Sequence, residues 1–120
     1  MARKSVDRVL ILGSGVHRGP SGELLAKMVA SLQAPQGGVA LEEVGDDFDP
    51  SRIRGFRIWV ILGENFGARH GWKRGGFQDW NGIRVVVTES LEDLLQRPAL
   101  KRAAWEDLKL VMSEMGWKNP

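Results

Sequence analysis

Two histidines, a set of carboxylates and one basic, aromatic loop are the residues of this chain with chemistry to offer. His17 stands in the Gly-rich stretch Gly13–Gly19 with Arg18 beside it, and His70 stands in a second Gly-rich stretch. A pair of imidazoles could hold a metal or exchange protons near neutral pH. Neither has a carboxylate or another histidine at ligand spacing, so the competing reading is two exposed loop histidines and no metal. Glu89, Glu92, Asp93, Glu106 and Asp107 fall at helix starts or on helix surfaces, where acids are favoured or simply solvated. None is isolated among apolar residues in a way that would tune an acid–base pair. Arg69, His70, Trp72, Lys73 and Arg74, followed by Phe77 and Trp80, join cations to planar rings. Such a loop can stack bases and neutralise phosphates. It can equally form a protein hot spot, or cover a sheet edge while its charges face water.

Composition removes several classes of function. The 120 residues include no cysteine, which excludes disulfides, thiolate metal sites and cysteine nucleophiles. The net charge of +2 is too small by itself to indicate a nucleic-acid partner. No apolar run approaches the roughly 20 residues of a membrane span, and Val9–Leu12 is too short for a signal-peptide core. The expectation is a cytoplasmic protein with no membrane partner. In the first loop Arg18 stands where the dinucleotide fingerprint needs its third glycine, and Gly19 comes one place late. No Gly-Lys-Ser/Thr follows, so the loop is not a phosphate-binding loop of that type either, and no cofactor is implied.

The elements that must position these residues read as one domain over residues 1–120, with 1–6 as a loose end. Val9–Leu12 is a short apolar run suited to a strand covered on both faces. Ser21 is a candidate N-cap for the helix carrying Leu24, Leu25, Met28, Val29 and Leu32, which ends near Gln33. Residues 39–44 form a second strand and Phe56–Leu62 the strongest one. The connection Gly63–Gly82 is long, with a short helix near Phe66–Arg69. Residues 83–87 form the last strand. Ser90 and Asp93 mark a helix start, Pro98 opens a longer helix and Gly116 closes it. Trp105, on that helix, is expected to pack toward the sheet or the preceding short helix. The order β-α-β-β-α-β-α implies an α/β fold, a three-layer α/β/α sandwich with a small, mostly parallel sheet. Ligand-binding loops in such folds leave the C-terminal ends of the strands. The Gly13–Gly19 and Thr88–Leu91 loops both leave parallel strands and should therefore share that end of the sheet; their lying side by side, on adjacent or neighbouring strands, is what the family resemblance described next implies.

Three segments resemble the uracil-DNA glycosylase superfamily, above all its iron–sulfur class. The most specific is C-terminal: Arg74-Gly75, then Gly82-Ile83-Arg84-Val85-Val86-Val87-Thr88, then Leu94-Leu95-Gln96-Arg97-Pro98 and Lys101-Arg102 through Trp105, Asp107 and Leu108. The others are the strand to Gly13 with Gly19-Pro20-Ser21-Gly22-Glu23-Leu24-Leu25, and Val60-Ile61-Leu62-Gly63; together they span about two thirds of the chain. The departures concern the chemistry. Ser14 and Val16 stand where the family's Gly-Glu-x-Pro-Gly motif has its acid and proline. Ser90 and Leu91 stand where its Thr-x-His-Pro motif has histidine and proline. The cluster cysteines are absent, and Gly37–Gly55 lacks the uracil-reading Asn. His17 falls roughly at the place of the aromatic that stacks on uracil. Cleaving the glycosidic bond requires charge stabilisation on both sugar and departing base, which neutral serines do not supply.

The resemblance thus implies the fold without the catalysis: no catalytic residue, with Ser14 and Ser90 as degenerate positions. The stretch Leu94–Trp105 also looks like the psi subunits of the bacterial replicative polymerase's clamp loader, which are catalytically empty protein bridges. This implies an interaction subunit with a protein partner in DNA replication or repair, with nucleic acid as a second partner through residues 69–80. The alternative is a divergent nucleic-acid-binding glycosylase relative with residual activity through His17 or His70.

Overall fold

The computed structural model describes residues 8–45 and 47–117. The loose end expected over 1–6 lies outside them. The strands are β1 (Val9–Gly13), β2 (Val39–Glu43), β3 (Ile58–Leu62), β4 (Gln78–Trp80) and β5 (Ile83–Thr88). They form one sheet in the order β2-β1-β3-β5-β4. β2, β1, β3 and β5 are parallel, and β4 runs antiparallel to β5. Among the described residues four α-helices accompany them: α1 (Gly19–Ala30), α2 (Glu64–Arg69), α3 (Leu91–Gln96) and α4 (Lys101–Met115). The expectation of a mixed α/β fold around a mostly parallel sheet is met.

Successive strand residues point to opposite faces, so the apolar runs of β1 and β3 feed two cores. Val9, Ile11, Ile58, Val60, Leu62 and Val86 face Leu25, Leu91, Leu94, Leu108 and Val111 of α1, α3 and α4. Leu10, Leu12, Trp59, Ile61, Val85 and Val87 face the other way, under Trp72, Phe48, Phe56, Phe66 and Trp80. One face is thus covered by helices, the other by α2 and aromatic-rich connections.

Two local readings need correction. Ser21 does not cap α1: the helix starts at Gly19 after Arg18, with Pro20 in its first turn. Proline lacks the N–H that a cap would satisfy and suits that position. The Ser21 hydroxyl instead donates back to the Gly15 carbonyl at 2.7 Å. The expected connection Gly63–Gly82 contains a strand, β4, whose Trp80 pairs with Ile83 across Asn81-Gly82. Both turn residues have positive φ, 51° and 84°. This is the geometry a two-residue hairpin favours, and Asn-Gly is its sequence signal. The other ends match their signals. The Asp93 N–H donates to Ser90 Oγ at 3.1 Å, and Gly116 ends α4 at φ 74° with the Trp117 N–H on the Met112 carbonyl.

Candidate functional site

The β1–α1 and β5–α3 loops meet: both leave the C-terminal ends of parallel strands, on either side of β3. They border one concavity of about 290 Å³ lined by Ser14, Gly15, Pro20, Ser21, Ser90, Glu92 and Leu95. Gly13 permits the close approach of β1 to β3 here, because a Cβ on it would stand 2.7 Å from Leu62 Cβ. Two of the three lining hydroxyls already serve the backbone: Ser90 caps α3 and Ser21 ties the loop to α1. His17 and Arg18 are exposed on the same loop and do not line the concavity. Glu92 is the one ionisable group on its wall. The arrangement can accept hydrogen bonds but holds no acid–base pair.

A carboxylate that the sequence did not single out occupies the loop's own N–H groups. Glu43, the last residue of β2, accepts from the Gly15 N–H at 2.9 and 3.0 Å and from the Val16 N–H at 3.1 Å. The Gly15 bond leads in holding its carboxyl below the usual range; partial burial opposes it, and Val16, Arg18 and His17 add to the lowering. A depressed folded pKa means the ionised group stabilises the fold above its unfolded pKa. That contribution is lost as pH falls from about 4.3 through the folded value. Glu43→Gln is expected to lower stability at pH 7 by about 1 kcal/mol, less than is usual for hydrogen bonds to charged groups because the site is exposed. The difference between the two proteins should shrink in urea titrations below about pH 4. A constant difference across that range would show that the carboxylate charge is immaterial.

The basic, aromatic loop folds inward. Trp72 is 3% exposed. Its ring meets Trp59 and Trp80 edge-on, with centroids at 5.9 and 5.8 Å, and His70 stacks on it at 5.1 Å. His70 also touches Phe48 and Phe66. Trp72 is therefore not available to stack on a base, because its faces and edges complete the core over Trp59. Trp80 is half-buried in the same core, and Phe77 packs on the helical side beneath the Arg84 guanidinium, 5.4 Å from its ring centroid. Arg74 does not face water alone: it donates to Glu89 and, at 3.2 Å, to Asp107 of α4. The view of Glu89 and Asp107 as simple helix-surface acids is corrected by this pairing. Lys73 is exposed, its N–H held by Gln78 Oε1 at 3.1 Å; Arg69 is exposed at the end of α2. Among the described residues no group of three or more His, Asp or Glu is placed to hold a metal.

A second concavity lies between α1 and α4. Leu24, Met28, Leu94, Ala104, Trp105 and Leu108 give it apolar walls over about 270 Å³, and Lys27 and Lys101 line it as well. Trp105 packs on the core as expected but stays half-buried, because part of it faces this groove. No helix among the described residues is long and apolar enough to cross a membrane. No family model and no curated protein matches the chain.

Proposed function

We propose that this chain is a uracil-DNA glycosylase-like α/β/α domain without base-excision chemistry, acting as a psi-like interaction subunit in DNA replication or repair. The observation that supports it most is the single concavity shared by Ser14 and Ser90. In the family that place would carry an acid and a histidine. Here two hydroxyls stand there, one engaged in capping α3, and uncharged hydroxyls cannot stabilise charge on sugar and base together. The groove at Trp105 supports the protein-binding half of the reading, since apolar walls with an aromatic anchor suit a partner's side chain.

The purified protein is expected to release no uracil from single- or double-stranded DNA, and Ser90→His alone should not restore release. Uracil release that disappears in His17→Ala or His70→Ala would overturn the reading in favour of a divergent glycosylase. For the interaction, calorimetric titration with clamp-loader subunits from the same cell should give binding that Met28→Asp weakens at least tenfold. Absence of binding to any of them would remove the psi-like assignment.

A further inference from the structure

The concavity between α1 and α4 is built from two matching stripes. Leu24, Lys27 and Met28 of α1 line it, with Ser31 at that helix's end. Lys101, Ala104, Trp105 and Leu108 of α4 line it from the other side. Each set follows the spacing i, i+3, i+4, i+7, one helix face over two turns or about 10 Å. Helix α1 packs on α3, and the fully buried Leu94 of α3 floors the gap between the stripes. Leu24, Met28 and Trp105 pack on the core yet are only half-buried. Each keeps apolar surface in water although its helix already has a core to cover.

The charges on this groove have one sign. Lys27 on one wall and Lys101 on the other are exposed. Among the described residues neither lysine has an ion-pair partner, and no carboxylate lines the groove. The acids beside Trp105 on α4 are engaged elsewhere, Glu106 with Lys109 and Asp107 with Arg74. Glu23 of α1 is exposed and does not line the groove. A segment entering between the helices therefore meets apolar side chains at the centre and a cation on each wall.

We infer that this groove docks an acidic amphipathic helix of a partner protein, with apolar residues at i, i+4 and i+7 and carboxylates on both flanks. Apolar anchors at that spacing are how a helix enters a groove, and Trp105 and Met28 are residue types that hold such anchors. An extended peptide is a poorer match, because helical walls satisfy their own backbone groups and offer none to a strand. Lys27 and Lys101 stand on opposite walls, so acids on both flanks of the helix each find a cation, and a basic helix meets like charge twice. The inference rests on the protein-binding half of the function proposed above and adds the chemistry of the partner.

Fluorescence polarisation on the whole chain tests it with three labelled, end-capped peptides of about 16 residues, long enough for some helix in water. All carry leucine at the same i, i+4 and i+7 positions in an alanine background, and their flanking positions are Glu, Gln or Lys, which have similar helix propensity. The Glu peptide should bind about tenfold tighter than the Lys peptide at about 50 mM salt, with the Gln peptide between them, and the gap should close near 1 M. Lys27→Glu/Lys101→Glu, altered only at exposed positions, should reverse that order. Should the double variant fail to fold by circular dichroism, Lys27→Glu alone should still narrow the gap. No binding of any peptide, equal binding of all three, or an order that the lysine variants leave unchanged overturns the inference. Self-association of the chain that Met28→Asp abolishes makes a second copy the occupant and overturns it too. Glu-peptide binding without any clamp-loader binding upholds the groove and removes only the psi-like assignment. Clamp-loader binding untouched by Lys27→Glu/Lys101→Glu keeps that assignment and overturns this inference.

Discussion

Trp72→Ala should lower the free energy of unfolding by about 3–5 kcal/mol, the range for truncating a buried aromatic. The ring is sealed against Trp59 and Trp80, with Trp59 fully buried on the central strand β3. Its removal leaves a cavity over that strand, and neighbours held by the sheet relax into it only partly. Among the described residues the indole N–H groups of Trp59 and Trp72 have no hydrogen-bond partner. Trp72→Phe removes one such donor while keeping most of the ring, so it should cost much less than alanine. Urea unfolding of the three proteins measures both effects. If Trp72 were instead a binding hot spot, Trp72→Ala would leave the unfolding midpoint unchanged, and that result would contradict the packing described here.

The second large effect is expected at Arg74. Its guanidinium joins the connection after α2 to Glu89, just past β5, and to Asp107 on α4. Burial opposes the cation, but Glu89 and then Asp107 more than offset it, so the Arg74 pKa is raised. Arg74→Ala should cost about 2 kcal/mol, because two partly buried carboxylates then face each other without a cation. Adding Glu89→Gln and Asp107→Asn to that variant should recover part of the loss, since the uncompensated charges go with them. A triple variant no more stable than Arg74→Ala would mean that the lost packing of the arginine stem, not charge, dominates. A parent-like Arg74→Ala would remove the structural role altogether.

The local elements were legible because their signals are local. The apolar runs of β1 and β3, the Ser90 cap and the Gly116 stop each act within a few residues, and the structure keeps them, while Pro98 opens a short 3-10 turn that leads into α4 at Lys101. Even β4, passed over within a long connection, carried the Asn81-Gly82 hairpin signal. The meeting of the Ser14 and Ser90 loops was legible only so far as both leave parallel strands; that a single strand, β3, separates them was decided by the strand order. What tertiary structure alone decided concerns residues whose setting is supplied from far along the chain. A Trp-Lys-Arg loop reads alike whether its ring covers a strand or a ligand; Trp59 beneath it settles the matter for Trp72. Glu43 reaches Gly15 across 28 positions and Arg74 reaches Asp107 across 33, so neither pairing has a spacing to recognise.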